Sequence, residues 1–195
     1  MVLINQVYTK SGDHGKTVFF KSCFLKCNVL ICTIGDIDEA NSFCGQSAYL
    51  SKVINPYISK LLKVIQNNLF DLGADLVHSC LKSSFVINKR LKIQVSQVKF
   101  LEKEIDNFNR YLCSLRSFVL PGGGQLAVSI HIVRSIIRRV ERSVSFCILQ
   151  KSIISLEFLH YLNRLSDLLF IIARVSNSFG NHDVLWEPQK YIDIC

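Results

Sequence analysis

"HIVRSIIRRVER", residues 131–142, carries four arginines, a histidine and a glutamate in twelve positions, with isoleucine and valine between them. On a helical wheel of residues 126–148, at about 100° per residue, the two kinds of side chain separate. Ile132, Val133, Ile136, Ile137, Val140, Val144, Cys147 and Ile148 share one broad face. His131, Arg134, Arg138, Glu141 and Arg142 form the opposite stripe, with Arg139 at its edge. Such a helix buries one face and presents an ordered polar row on the other. Aligned arginines repel one another unless something anionic lies between them. The row is therefore either a solvated face or a holder for a strongly anionic ligand.

Further helices follow on both sides of this stretch. Asp36 with Glu39 three residues later reads as an N-cap and its reciprocal partner, opening a helix through Ala40, Cys44 and Ala48. After "NPY", Ile58, Leu61, Leu62, Ile65, Leu69, Leu72 and Leu76 repeat at helical spacing, and Val95, Val98, Leu101, Ile105, Phe108 and Leu112 make a third stripe. A fifth helix is expected from about Ser155 to Ser178. On it Asn163, Asp167 and Arg174 line up with His160, opposite leucines and isoleucines. The three prolines, Pro56, Pro121 and Pro188, fall where helical patterns start or stop. No alternating segment is long enough to build a sheet. The fold class is all-α: a five-helix bundle with an irregular N-terminal arm. The expected division is one domain over 1–195, with an arm at 1–34, the bundle at 35–180 and a tail at 181–195.

Composition narrows the function classes. The chain has 195 residues, 49% hydrophobic and 19% charged, which excludes disorder. A formal charge of +8 favours anionic partners: nucleic acid, an acidic membrane surface or a small polyphosphate. The start, "MVLINQVYTKSGD", lacks a signal peptide's basic end and long apolar core, and no apolar run approaches the roughly 18 residues of a membrane span. Eight cysteines without an export signal point to free thiols in a reducing compartment, hence the cytoplasm. Cys23, Cys27 and Cys32 cluster without the spacing of a metal knuckle.

Two more stretches bear on ligand binding. In "YTKSGDHGKT", Gly12 and Gly15 permit turns that expose backbone N–H groups, while Lys10, Lys16 and Thr17 are able to reach phosphate oxygens. A P-loop is excluded, because Lys10 stands where that motif requires glycine. In "FVLPGGGQ", residues 118–125, three glycines open the fourth helix or let backbone approach a ligand, and Phe118 precedes them as core or as a site residue.

Together these stretches resemble the PduO-type ATP:cob(I)alamin adenosyltransferases. "YTKSGDHGKT" resembles that family's "YTRTGDxGxT", "GDIDEANS" its "GTVDELNS", and "IQNNLFDLGADL" its "IQNDLFDLGADL". "FVLPGGGQLAVSIHIVRSIIRRVERSV", "LNRLSDLLFIIARVSN" and "VLWEP" are similar to the remaining blocks, in the same order over nearly the whole chain. The resemblance implies a homotrimer of five-helix bundles with active sites between subunits. It implies transfer of the 5′-deoxyadenosyl group of ATP, taken with magnesium, to cob(I)alamin, giving adenosylcobalamin and triphosphate. By the same resemblance Thr9, Lys10, Ser11, Gly12, Gly15, Lys16, Thr17 and Lys26 cradle the triphosphate, and Arg138, Glu141, Arg142 and Asn163 complete the nucleotide site. Asp38 and Arg134 match a pair that bridges subunits, and Phe118 matches an aromatic residue below the corrin ring. No protein side chain is expected to hold the metal alone. A reductase and an adenosylcobalamin-dependent enzyme are implied as transient partners, with no nucleic acid and no membrane.

Three departures stand out. Lys10 replaces an arginine, keeping charge but losing the fork geometry. Ser143 replaces an arginine, and "KCNVLICTIG" lacks the usual acidic and arginine residues. Two rival classes remain at the level of sequence. A nucleic-acid-binding bundle calls for aromatics among the basic residues, which the stripe lacks. A bundle that only binds and delivers corrinoid requires none of Arg138, Glu141 and Asn163.

Overall fold

The computed structural model describes residues 8, 10, 12–19, 22–81, 92–149 and 154–190. Their elements run β1 (Lys16–Phe19), β2 (Ser22–Leu25), α1 (Val29–Ile54), α2 (Pro56–Leu81), α3 (Val95–Asn109), α4 (Gln125–Leu149) and α5 (Leu156–Ser176). Helices pack in the spatial order α2, α1, α4, α5, α3. Five helices dominate, as the periodicity predicts, and α4 lies between α1 and α5.

Local chemistry places the boundaries. Asn28 caps α1, its side chain accepting from the N–H of Leu30 at 2.9 Å. Helix α1 thus begins well before the expected Asp36, and the arm ends near Asn28 rather than at residue 34. Asp36 and Glu39 are not a capping box: both bind Arg139 of α4. An acidic residue near a helix start reads as a cap only when its long-range partner is unknown. Asn55 ends α1 and also accepts from the N–H groups of Tyr57 and Ile58, so α2 opens directly at Pro56. Ser155 caps α5.

The arm is more ordered than its expected irregular form. Strands β1 and β2 make an antiparallel hairpin in which Lys16 pairs with Leu25 and Thr17 with Phe24. Four-residue strands are too short to show alternation in the sequence.

The α2 stripe is buried throughout: Ile58, Leu61, Leu62, Ile65, Leu69, Leu72 and Leu76 all belong to the core. Helices α1 and α2 are also keyed by a reciprocal pair, Asn41 Nδ2 to Gln66 O at 3.1 Å and Gln66 Nε2 to Asn41 O at 3.2 Å. Buried Asp75 accepts from the N–H of Ile93, fixing the approach to α3.

Helix α4 departs from its wheel at two positions. His131 is buried, packed near the Phe170 ring of α5, while Ile132 is 39% exposed. The wheel assumes one neighbour; α4 has two, and α5 covers the stripe at His131. Burial, the nearby Arg134 guanidinium and a smaller opposing effect of Asp183 together lower the His131 pKa.

A polar knot joins the end of α5 to the start of α4. Arg174, 5% exposed, donates from Nε to Asp183 Oδ2 at 2.8 Å and from Nη2 to Cys113 O at 3.0 Å. Asn177 donates to Gly122 O and Asp183 Oδ1 and accepts from the Gly124 N–H. Gly123 has φ +95°, and a Cβ there would lie 2.3 Å from Asn177 Oδ1, so glycine is required.

Two stability outcomes follow from these contacts. Asp183→Ala strands the buried Arg174 cation and is expected to cost about 3–5 kcal/mol in chemical denaturation. His131 has a folded pKa below its unfolded value, so its contribution is present above the unfolded pKa and lost as pH falls through about 6.5. His131→Leu is expected to melt no lower than wild type at pH 7.5 and to show a shallower loss of Tm between about pH 6.5 and 5.

Candidate active site

The arginines of the bundle divide by whether the chain supplies them with a counter-charge. Arg139 has Asp36 and Glu39, Arg164 has Glu102 and Asp167, and Arg174 has Asp183. Among the described residues Arg134, Arg138 and Arg142 have no carboxylate in ion-pair range. Arg142 donates only to Arg138 O at 3.0 Å. The Arg134 Nε is buried without an acceptor. Burial first, and the Arg138 charge second, push the Arg134 pKa down. Three like charges on successive turns, one of them partly desolvated, make a strong anion-binding row.

Beside the row, Glu141 accepts from Asn163 Nδ2 of α5 at 3.3 Å. That bond turns the amide oxygen of Asn163 away from Glu141, leaving it available as an acceptor. Of the α5 stripe only Asn163 joins this group. Asp167 is held by Arg164 at 2.7 Å, and Arg174 is drawn into the knot. A shared stripe on one helix does not distinguish these three; their partners do: Glu141 of α4 for Asn163, Arg164 of the same helix for Asp167, and Asp183 beyond the helix for Arg174.

A second cluster lies on the arm. Gly15 has φ +71°, and its carbonyl accepts from the Lys26 N–H at 2.9 Å. The Lys26 Nζ hangs over Gly12, 3.1 Å from where a Cβ would stand. Lys10, Lys16 and Lys26 are exposed. Thr9 and Ser11 lie outside the described residues. Thr17, Lys26 and Asp38 border a groove of about 1000 Å³ whose walls are mainly apolar, among them Ile34, Phe70 and Val77. No hydrogen bond or ion pair among the described residues joins this cluster to Arg138, Glu141, Arg142 or Asn163. Asp38 and Arg134 are likewise not paired within the chain.

Phe118 forms a third feature. It is 78% exposed and meets Trp186 edge to face, with centroids 6.0 Å apart. The possibility that Phe118 is ordinary core is thereby excluded.

A profile of the family described as cobalamin adenosyltransferase matches residues 7–176. This chain belongs to the cobalamin adenosyltransferase family. Similar to it is a corrinoid adenosyltransferase of Mycobacterium leprae, 40% identical over 192 residues, covering 95% of this chain and 97% of the relative. The Bacillus subtilis corrinoid adenosyltransferase is 38% identical, covering 96% and 95%. Among solved structures, a variant PduO-type ATP:corrinoid adenosyltransferase from Lactobacillus reuteri, complexed with cobalamin and ATP, is 33% identical with a TM-score of 0.82. That match covers 94% of this chain and 97% of the other. The chain is thus an enzyme, and its reaction is ATP-dependent adenosylation of cobalamin. Reading it as a delivery bundle without catalysis, or as a nucleic-acid binder, is superseded.

In an adenosyltransferase the unpaired arginines are candidates to meet a polyanionic leaving group. Sequence reasoning found the row from its spacing, but missed that Arg139 is spent on α1 and that His131 is buried. In the sequence Trp186 stands out only as part of the tail motif "VLWEP". Its contact with Phe118 leaves no local trace in the sequence.

The division among arginines yields a direct comparison. Arg138→Ala is expected to lower turnover by about 100-fold or more with helical content unchanged, the scale seen when one charge-stabilising donor is removed. Arg139→Ala is expected to lower the melting temperature instead and to leave turnover per folded molecule within about threefold of wild type. Circular dichroism and anaerobic turnover measure both.

Proposed function

We propose that one active site is built from two copies of this chain: the arm of one holds the ATP triphosphate from one side, and α4 and α5 of a second close it from the other. The observation that carries this is the in-chain separation of the two cationic clusters, with the Arg134 Nε buried and lacking an acceptor. Asp38 is exposed on the same groove as Thr17 and Lys26. If Arg134 of a second copy pairs with Asp38, its Arg138 follows one helical turn later, about 6 Å along the axis. That places Arg138 and Arg142 opposite Lys26 and the glycine turn. The pairing neutralises one arginine of the row and leaves two for phosphate. A closed assembly in which each copy gives an arm and receives a stripe is a ring, and we take it to be a homotrimer.

The solved relative complexed with cobalamin and ATP supports the same pair of substrates here. In the reaction cobalt(I) donates its electron pair to the 5′ carbon of ATP, a Co–C bond forms, and the C–O bond to triphosphate breaks. The leaving group gathers about four negative charges, each arginine contact to phosphate contributing roughly 1.5–3 kcal/mol. Arg138 and Arg142 oppose that charge from the helix. Lys10, Lys16 and Lys26 oppose it from the arm, with the N–H groups around Gly12 and Gly15. The Asn163 amide, oriented by Glu141, accepts from the nucleotide. The nucleophile is cobalt, so the protein contributes position and charge. Among the described residues no group of three or more histidine, cysteine or carboxylate side chains is placed to hold a metal ion. Magnesium would enter with the nucleotide and offset phosphate charge, and Glu141, beside Asn163, would be the carboxylate able to bind it or its water shell.

Phe118, exposed beside Trp186, is the residue we take to lie against the corrin ring, on the side from which the lower axial ligand leaves. Removing that ligand eases reduction of cobalt(II). We place the enzyme in the cytoplasm, because Cys23, Cys27, Cys32, Cys44, Cys113 and Cys147 stand outside any disulfide, which suits a reducing compartment. Residues 1–195 act as one domain, and a reductase and an adenosylcobalamin-dependent enzyme are its expected transient partners.

The decisive measurement of the shared site is a charge swap. Asp38→Arg and Arg134→Asp are each expected to lower both the assembly mass by light scattering and turnover by at least about tenfold, and the double variant to recover a substantial part of both. A fully active monomer would overturn the shared site. Mixing inactive Lys26→Ala protein with inactive Arg138→Ala protein is expected to restore activity, because some interfaces in the mixed rings carry neither change.

A further inference from the structure

The tail joins the loop before α4 as a short antiparallel ribbon. Val119 and Leu185 form the bridge, the Leu120 N–H donates to Val184 O at 2.8 Å, and the Trp186 N–H donates to Phe118 O at 2.8 Å. Ser117 Oγ closes the end by donating to Trp186 O at 2.6 Å. Opposed residues and their alternate neighbours share a face, so Phe118, Leu120, Val184 and Trp186 stand on one side. All four are left substantially in water, from 42% for Leu120 to 78% for Phe118. Four apolar side chains on one exposed ribbon face mark a contact surface.

The ribbon is rigidly mounted. Asp183, immediately before it, is held by both Arg174 and Asn177 within the knot at the end of α5. Asn177 also fixes Gly122 and Gly124, immediately after it. Val184 lies against Gly122, 3.2 Å from where a Cβ there would be. Both strands are therefore anchored where they leave the helices, and the aromatic pair at the far end has one preferred geometry. An interplanar angle of 60° sets the rings edge to face, a favoured arrangement that limits rotation of the otherwise exposed Phe118.

We propose that Trp186 is a positioning residue for adenosylation: it fixes the Phe118 ring and extends it into a two-ring apolar platform for the corrinoid. This inference rests on the reading of Phe118 given above. The occupant argued for is the corrin macrocycle, a broad ligand with apolar edges, because the ribbon face is continuous with Phe118. The competing occupant is a second copy of the chain. Without the indole, Phe118 keeps its place in the sequence but loses the contact that orients it, and the lower ligand of cobalt(II) is displaced less often.

The test uses full-length wild type, Phe118→Ala, Trp186→Ala and Trp186→Phe. Each is assayed with MgATP and cobalamin for KM of both substrates, for the four-coordinate cob(II)alamin fraction by electron paramagnetic resonance, and for mass by light scattering. Trp186→Ala is expected to reduce the four-coordinate fraction severalfold and raise the corrinoid KM about tenfold, with the ATP KM within about twofold and mass unchanged. Trp186→Phe, which keeps a ring edge, is expected to recover most of both effects. A Trp186→Ala protein with wild-type four-coordinate fraction and corrinoid KM overturns the proposal, as does a loss of assembly mass, which would assign the face to a second copy. If that outcome accompanies a lost signal in Phe118→Ala, only the role of Trp186 falls. If Phe118→Ala keeps the wild-type signal, or wild type never shows one, the reading of Phe118 falls and this inference with it.

Discussion

Helix α4 must satisfy two neighbours at once, and that constraint organises the molecule. Packed between α1 and α5, it buries Val133, Ile136, Ile137, Val140 and Val144. Its basic residues are then confined to what the neighbours leave open. Arg139 turns toward α1 and is neutralised. His131 is covered by α5 and sits where protonation is disfavoured. Of the α4 arginines, Arg134, Arg138 and Arg142 have no counter-charge among the described residues, and they fall on consecutive turns. The candidate anion site is thus a remainder: the part of a basic helix that packing does not consume.

Leaving such a remainder has an electrostatic cost. Like charges about one turn apart destabilise the free protein, the more so where burial weakens screening, as at Arg134. A polyphosphate removes that repulsion on binding, and Asp38 of a second copy removes it for Arg134 in the proposed assembly. Neutral replacements would ease the free helix but would weaken the charge that, in the proposed site, meets the departing triphosphate. Function and stability pull in opposite directions on this stripe, and the Arg139 clamp with the large apolar core supplies the stability that permits it.

The knot at Arg174, Asp183 and Asn177 plays the corresponding part at the other end of α4. It joins the end of α5, the glycine loop and the tail through fully engaged polar groups, which keeps a buried charge pair from being a liability. What it supports is apolar and exposed. Rigid polar mounting fixes where that apolar surface stands.

Sequence alone determined the five helices, the inward face of α2 and the arginine row, because helical periodicity is a local property written every three or four residues. It also carried the family resemblance, through blocks such as "IQNNLFDLGADL" and "RRVER". Tertiary structure alone decided which charges are spent. Asp36 and Glu39 read as a cap because their partner lies a hundred residues away in the chain, and Arg174 shares a stripe with Asn163 although Asp183, from a loop beyond the helix, engages it. His131 shares a wheel stripe with the unpaired arginines, yet α5 covers it. The Phe118–Trp186 pair spans the whole of α4 and α5, and no spacing rule connects positions so far apart. Local pattern fixes which face of a helix a residue occupies. Only the packing of other elements fixes what that residue meets there.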